Sequence, residues 1–173
     1  MSANTIKEFH YIVPLANLES IFDKGILSHN EAEPHKKADV SMEGVQKIRA
    51  QKDIPAEAMG QIRKIHDCTN LYFNAKNPML FKRRTEKETI CVLRLKPELL
   101  KQPGAVIADR NAAVKGAQFF KAAEGVDKLA MNILFGPSWT SQQPEIHEVN
   151  KHLRCAELLL PRKIHPSYIG GMY

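Results

Sequence analysis

A single carboxylate, Glu157, interrupts an apolar run that extends from residue 153 to residue 160 and is closed by Pro161. If this run is a β-strand, alternation places Glu157 on one face together with Cys155 and Leu159. A buried charge without a partner is costly, so the carboxylate needs a cation, a cleft or a ligand. Two interpretations are open: an edge position or structural ion pair with an arginine, and a catalytic carboxylate at the end of a core strand.

Other groupings of reactive side chains lack the spacing that their chemistry requires. His147 and His152 are five residues apart, whereas a helical zinc site of the His-Glu-x-x-His type needs one helical turn. The triplet His66-Asp67-Cys68 suggests a thiol nucleophile, but adjacent side chains diverge and catalytic triads are assembled in space. Gly-rich phosphate loops of the GxGxxG or GxxxxGK[ST] type are absent from the sequence. We therefore predict no metal site, and any nucleotide must bind by another route.

Composition limits the class of protein further. The 173 residues are 43% hydrophobic and 25% charged, which is typical of one soluble globular domain. Cys68, Cys91 and Cys155 are odd in number and widely spaced, which indicates reduced thiols in the cytoplasm. No apolar run approaches a membrane helix, and the first residues lack a signal-peptide pattern. A net charge of +6 favours an anionic partner, either nucleic acid or a phosphate-bearing small molecule. We expect a cytoplasmic monomer.

The hydrophobic pattern predicts a mixed α+β chain. Aromatic and β-branched runs predict strands over 8–13, 71–73, 89–95, 105–108, 153–160 and 168–173. Helical spacing predicts helices from Pro14 to a C-cap at Gly25, and over 43–52, 56–66, 127–135 and 144–152. Residues 28–41 are polar and aperiodic, and predict a long surface loop with a functional role. The chain stops inside an apolar segment, which leaves open that the natural protein continues past Tyr173.

Cations cluster in two places. The helix over 43–52 carries Lys47, Arg49 and Lys52, which indicates a solvated basic face, whereas the apolar and aromatic run 79–81 stands directly before Lys82-Arg83-Arg84. Such an arrangement can form a stacking platform for bases or a nicotinamide ring. The alternative is that the apolar residues belong to the hydrophobic core and that the neighbouring cations only face solvent.

Five segments, taken in chain order after an aromatic first strand, resemble the DarT family of DNA ADP-ribosyltransferases. They read NLESIFDKGILSHN, VQKIRAQK, LYFNAKNPMLF, DRNAA and RCAELLLP. Members of that family are toxins usually paired with a macrodomain antitoxin. The resemblance implies one ADP-ribosyltransferase domain over residues 1–173, with two packed, mainly antiparallel sheets and flanking helices. Its cleft holds NAD as co-substrate without a Rossmann motif and without a metal.

The resemblance also assigns roles to individual residues. Glu157 falls on the catalytic glutamate, which binds a hydroxyl of the nicotinamide ribose and stabilises positive charge at the anomeric carbon. Arg49 falls on the catalytic arginine, which helps to polarise or deprotonate the acceptor base. The loop over 28–41 matches the segment that closes over NAD. The implied NAD contacts are Tyr11, His10, Ile12, Asn17, Gly25, Leu27, Tyr72, Phe73, Met79, Leu80 and Phe81.

Three positions depart from the common family pattern. Many members carry a histidine on the first strand where Tyr11 stands here, while His10 is one residue off and faces the other side of a strand. Ile48 replaces the first of two adjacent arginines, and Lys76 stands where an arginine is common. These differences indicate a divergent subfamily, so the target base and its sequence context stay open.

The expected acceptor is a base in single-stranded DNA, because an unpaired base is easier to reach than one in a duplex. Contacts to the DNA backbone are expected from Lys52, Lys76, Lys82, Arg83, Arg84 and Arg110. Two alternatives remain: a related transferase that acts on RNA or protein, and an inactive module that binds nucleic acid or a nucleotide.

Overall fold

The centre of the molecule is a sheet of seven strands in which neighbouring strands run antiparallel. The computed structural model describes residues 6–173. Its strands are β1 (Phe9–Pro14), β2 (Asp53–Ile54), β3 (Arg63–Lys64), β4 (Thr69–Tyr72), β5 (Ile90–Leu95), β6 (Val106–Ala108), β7 (Phe119–Lys121), β8 (Glu157–Leu160) and β9 (Ile169–Met172). The order across the large sheet is β7-β6-β8-β4-β1-β5-β9, and β2 pairs with β3 alone. The predicted α+β class is confirmed.

Among residues 6–173, eight short helices connect and cover these strands. They are α1 (Leu18–Lys24), α2 (His29–Ala32), α3 (Glu43–Gln51), α4 (Ala56–Met59), α5 (Pro78–Lys82), α6 (Ala122–Gly125), α7 (Met131–Leu134) and α8 (Pro144–Leu153). Side-chain capping explains where two of these helices begin. Ser28 and Glu31 form a capping box at α2, and the Asn77 side chain accepts from the first free N–H groups of α5. None of the helices within residues 6–173 is long and apolar enough to span a membrane.

The two faces of the large sheet are covered differently. Phe9, Leu71, Leu93 and Leu158 belong to one continuous core on one face, and all four are fully buried. On the opposite face the apolar residues form two separate clusters. One surrounds Leu159 near β6 and α4, and the other surrounds Ile12, Val92 and Ala75 near α5. Strand alternation puts Glu157 on the same face as Leu159.

The large sheet divides between β1 and β4. These strands share a single registered pair, His10 with Tyr72, whereas β1 and β5 are paired along their whole length. Strands β9, β5 and β1 therefore form one half, and β4, β8, β6 and β7 form the other. Two packed sheets were expected; the structure has one large sheet, whose two halves are joined by a single registered pair, and the small sheet of β2 and β3. Beyond that pair one edge of β1 is free to line a cleft.

Several predicted element bounds are wrong. The predicted strand over 153–160 begins only at Glu157, because α8 continues through Leu153 and a turn follows. Pro14 ends β1 instead of starting a helix. The helix predicted over 56–66 stops at Met59, where Gly60 adopts a positive φ of 84°. The helix predicted over 127–135 is a 3₁₀ turn followed by the short α7.

Gly25, which the resemblance assigned to NAD binding, has a clear structural task at the end of α1. It has a φ of +91°, and a Cβ there would overlap the carbonyl oxygen of Ile164. The next residue, Ile26, exchanges two backbone hydrogen bonds with Ile164, at 2.9 and 2.8 Å. The close approach of these two segments therefore requires glycine.

We predict that Gly25→Ala lowers the free energy of unfolding by roughly 2 kcal/mol or more, because it adds backbone strain and a steric overlap. Urea denaturation measures the change. Gly44→Ala is the matched control, because Gly44 lies in α3 with open space around its Cβ position. Equal midpoints for the two variants would contradict this role for Gly25.

Candidate active site

Glu157 and Arg49 form a bidentate ion pair inside the protein. The Nη1 and Nη2 atoms of Arg49 donate to Oε1 and Oε2 of Glu157 at 2.9 and 3.0 Å. Glu157 is 1% exposed and Arg49 is 7% exposed. The first interpretation of the sequence, an ion pair with an arginine, is therefore observed. Arg49 of this pair borders a cavity, whereas Glu157 does not itself line it, and the catalytic interpretation stays a prediction.

Three segments of the chain hold this pair in place. Glu157 is the first residue of β8, between Tyr72 of β4 and Ala108 of β6. Arg49 reaches it from the second half of α3. The backbone N–H of Ala112, in the loop between β6 and β7, donates to Oε1 of Glu157 at 3.0 Å. The carboxylate is thus fixed by one side chain and one main-chain group.

The pair alters the ionisation of its neighbours. Burial lowers the pKa of Arg49, but the adjacent Glu157 outweighs burial, so the pKa lies above its usual value. Burial, reinforced by Glu157, raises the pKa of the Tyr72 hydroxyl. Both groups therefore keep their protons at neutral pH, Arg49 as a cation and Tyr72 as a neutral phenol.

A cavity of about 380 Å³ opens where the sheet divides, and Arg49 forms part of its wall. The loop predicted over 28–41 forms another part of the cavity wall. This loop contains a short helix, α2. Asn17 secures this loop: its side chain accepts from the backbone of Lys37 and Ala38, and donates to the Ala38 carbonyl at 2.8 Å. The structure also places the following predicted residues on the cavity wall: Tyr11, Ile12, Asn17, Leu27, Tyr72, Met79 and Lys82.

Other predicted NAD contacts lie outside the cavity wall, namely His10, Gly25, Phe73, Leu80 and Phe81. His10 hydrogen-bonds Glu8 at 3.1 Å. Phe73 follows Tyr72 and so faces the opposite side, where it packs edge-on against Phe9 in the main core. Leu80 packs in the cluster around Ile12, and Phe81 projects outward from α5.

The predicted DNA-contacting cations are divided between free and engaged groups. Lys76, Lys82 and Arg84 are exposed and form no ion pair among the described residues, although Lys82 donates to Sδ of Met42 and Arg84 to the carbonyl of Phe81. Arg83 pairs with Glu86 and Arg110 pairs with Asp109. Lys52 donates to the carbonyl of Val114 at 2.6 Å and lies over the Phe119 ring. The engaged groups have less freedom to contact a phosphate.

Two histidines at the cavity were missed as site residues. The rings of His29 and His66 stack with centroids 4.0 Å apart, and Nε2 of His66 lies 2.8 Å from Oε1 of Gln46. Burial, together with the charges of His29 and Arg49, lowers the pKa of His66 to about 4. Burial also lowers the pKa of His29. The sequence signal was present in "LSHN" and "IHDC", but nothing local indicated that the two rings meet.

The Ala112 N–H and Asn111, which borders the cavity, were also missed as site groups. The segment "DRNAA" was noted as a turn, yet a backbone donor leaves no side-chain signature. Cys68 and Cys155 border the cavity as well, but burial raises the pKa of each to about 12. They are therefore neutral thiols without nucleophilic character. Within the described residues, no group of His, Cys, Asp and Glu could hold a metal ion.

We predict that Arg49→Met lowers the free energy of unfolding by about 3–5 kcal/mol, because it leaves a buried carboxylate unpaired. The double variant Arg49→Met/Glu157→Gln should be more stable than the single one, since it removes both charges. Urea denaturation of both variants measures the coupling. Lys47→Met is the control, because its exposed ion pair with Glu43 contributes roughly 1 kcal/mol at most. A double variant no more stable than Arg49→Met would contradict the coupling.

We also predict a loss of stability as pH falls from about 6.5 to about 4, and a smaller loss in His66→Asn. In this range the unfolded chain binds the proton on His66 that the folded chain excludes, so protonation favours unfolding. Thermal melting across the pH range measures the slope. His35→Asn, at an exposed position in the loop over 28–41, should keep the wild-type slope. Identical slopes for His66→Asn and the wild type would exclude this contribution.

Comparison with known proteins identifies the family. The profile of the family described as "ssDNA thymidine ADP-ribosyltransferase, DarT" matches residues 10–173. A DNA ADP-ribosyl transferase–DNA ADP-ribosyl glycohydrolase fusion protein of Thermosipho africanus is 27% identical over 170 residues. That alignment covers 96% of this chain and 42% of the relative, so the chain spans less than half of that protein.

Two solved structures of Thermus sp. 2.9 DarT have the same fold. The complex with ADP-ribosylated ssDNA has a TM-score of 0.83 at 21% identity, and covers 99% of this chain and 83% of that one. The complex with NAD⁺ has a TM-score of 0.76 at 21% identity, and covers 96% and 81%. These likenesses confirm the predicted ADP-ribosyltransferase fold. Because the family profile matches nearly the whole chain, this protein belongs to the DarT family of ssDNA thymidine ADP-ribosyltransferases.

Proposed function

We propose that this chain transfers ADP-ribose from NAD to thymidine in single-stranded DNA, and that it acts as a toxin. The observation that carries the proposal is the buried Glu157–Arg49 pair beside a cavity at the division of the sheet. Membership of the DarT family supports the reaction. The DarT of Thermus sp. 2.9, which shares the fold, has been seen with NAD⁺ and with ADP-ribosylated ssDNA.

The residues around the cavity fit NAD. Its volume of about 380 Å³ lies in the range of small-molecule sites. Ile12, Tyr72 and Met79 supply apolar and aromatic surface, which suits the nicotinamide and the ribose. Lys82 supplies positive charge for a diphosphate, whereas Lys36, also on the wall, is already paired with Glu33 and Asp39. When bound, NAD supplies an activated ADP-ribosyl group, whose bond to nicotinamide breaks in the reaction.

Glu157 is suited to stabilise the charge that develops on the sugar. A carboxylate offers about four acceptor positions, and three are used by Arg49 and the Ala112 N–H. The fourth position, on Oε2, accepts from no group among residues 6–173, and we assign it to a ribose hydroxyl. Glu157 is 1% exposed and does not line the cavity, so the ribose must approach it past Arg49, which does. Because two segments already fix the carboxylate, little reorganisation is needed when positive charge forms at the anomeric carbon.

Arg49 is suited to polarise the acceptor base. Its pKa is raised by Glu157, so it remains a cation and is a poor general base. A guanidinium has five N–H groups, and Glu157 occupies two of them. Arg49 borders the cavity, and we assign its remaining donors to a carbonyl oxygen of the base. The imide N–H of thymine becomes more acidic when its carbonyl accepts a hydrogen bond from a cation. This geometry favours polarisation over deprotonation by Arg49.

The proposal extends to a protein partner and a cellular compartment. The relative from Thermosipho africanus is fused to a DNA ADP-ribosyl glycohydrolase. An enzyme that removes ADP-ribose from DNA, of the macrodomain class that the resemblance implies, is therefore the fitting antitoxin here. Cys68, Cys91 and Cys155 are free and buried, which suits the reducing cytoplasm.

We predict that Glu157→Gln lowers the rate of transfer at least about 100-fold while NAD still binds, because the neutral amide cannot stabilise the developing charge. The assay incubates the protein with labelled NAD and thymidine-containing single-stranded DNA, RNA or bulk protein. NAD binding is followed by calorimetry. Glu98→Gln, which removes an exposed carboxylate away from the cavity, should behave like the wild type.

Comparing DNA, RNA and protein as acceptors in this assay distinguishes the proposed function from its alternatives. Label on DNA that disappears in Glu157→Gln supports the proposal. Label on RNA or protein alone would replace DNA as the acceptor, and NAD binding without any transfer would identify an inactive binding module. Near-normal turnover in Glu157→Gln would refute the role of the carboxylate.

A further inference from the structure

Trp139 and Phe81 form an aromatic pair outside the cavity. Their ring centroids are 6.0 Å apart and their planes cross at 79°. Phe81 lies in α5 and is 56% exposed, and Trp139 is partly exposed in the segment between α7 and α8. A large aromatic side chain that stays exposed is available to a partner.

A cation lies over each ring. The guanidinium carbon of Arg84 is 4.7 Å from the centroid of Phe81, and that of Arg154 is 5.5 Å from the centroid of Trp139. Arg154 is only 2% exposed, so it covers the inner side of the indole. Trp139 is partly exposed, so the part of the indole that Arg154 and Phe81 do not cover is accessible to a flat ring.

Arg154 is held rigidly, and its charge is not neutralised. Its guanidinium donates to the carbonyls of Lys76, Ile133 and Gly136 at 2.7, 2.7 and 2.8 Å. These bonds connect the turn before α5 with the segment that carries Trp139. No Asp or Glu in the part of the chain that the structure describes lies within ion-pair distance of Arg154. A positive charge thus persists beneath the indole.

The aromatic pair lies at the edge of the cavity. Met79 and Lys82, on either side of Phe81 in α5, border the cavity, and so does Cys155, which follows Arg154. Lys76 and Lys82 are exposed, and no carboxylate among residues 6–173 pairs with them. Stacking surface and cations without a carboxylate partner therefore occur together beside the candidate active site.

We propose that unpaired nucleotides next to the target base stack on the outer face of Trp139 against Phe81, while Lys76, Lys82 and Arg84 contact their phosphates. This assignment rests on the proposed function and names the DNA subsite that it needs. Aromatic side chains with interspersed cations suit single-stranded nucleic acid, since every base has a π-face and every nucleotide a negative charge. A protein partner with an acidic or apolar surface could also contact the exposed rings. It would gain nothing from an indole ring that has a cation over its opposite face, whereas a stacked nucleobase would.

The protein provides its own probe, because Trp139 is the only tryptophan in the 173 residues. Titration with a short oligothymidylate should quench the intrinsic fluorescence of the wild type, since a base stacked on an excited indole deactivates it by accepting an electron. Phe81→Ala keeps the fluorophore but removes the adjacent wall. It should need at least about fivefold more oligothymidylate for half-maximal quenching, as expected for one stacking contact.

The transfer assay tests the same surface at the active site. Trp139→Ala and Phe81→Ala should raise the DNA concentration for half-maximal transfer about 5- to 100-fold, at an unchanged NAD requirement. Trp139→Phe keeps an aromatic face and should recover most of this loss, which separates stacking from a folding defect. Phe22→Ala is the matched control: Phe22 is 47% exposed on α1 and does not border the cavity. It should leave DNA dependence unchanged.

These experiments test the stacking subsite separately from the proposed transferase activity. Transfer to DNA without quenching, and with wild-type DNA dependence in Trp139→Ala, would overturn the subsite and leave the transferase intact. Quenching by oligothymidylate without any transfer would support the subsite and refute the transferase. Variants that weaken binding of a glycohydrolase antitoxin, but not of oligothymidylate, would show a protein interface and overturn the proposal.

Discussion

The ion pair between Arg49 and Glu157 is the constraint on which the rest of this structure depends. It joins residues 108 positions apart in sequence, and both side chains are withdrawn from water. Removing two charges from solvent costs several kcal/mol per ion, so the pair persists only because its geometry is bidentate and Ala112 adds a further donor. The helix α3, the strand β8 and the loop after β6 must therefore meet at one point.

The division of the large sheet between β1 and β4 allows a ligand to approach the ion pair. Because β1 and β4 share only the pair His10–Tyr72, the two halves separate and their apolar clusters on this face do not merge. The gap becomes a cavity with one edge of β1 on its wall. A continuous sheet would have filled this space with core side chains, and the ion pair would then be purely structural.

The same contacts that stabilise the site also prepare it for chemistry. A carboxylate fixed by Arg49 and by a backbone N–H keeps its position when a cationic sugar forms, so the proposed reaction needs little rearrangement of the protein. Arg154 serves the surrounding surface in a similar way. It binds three backbone carbonyls and supports Trp139, so that the aromatic pair is held at the edge of the same cavity.

The sequence by itself determined the α+β class, the strand β5, the helix α3 and the special character of Glu157, because alternation, helical spacing and a charge in an apolar run are local signals. The ordered segments identified the family. Only the tertiary structure decided that Arg49 is the partner of Glu157, that Phe73 belongs to the core, and that His29 meets His66. These outcomes depend on contacts between residues far apart in the chain, and no local periodicity encodes which distant side chain fills a given space.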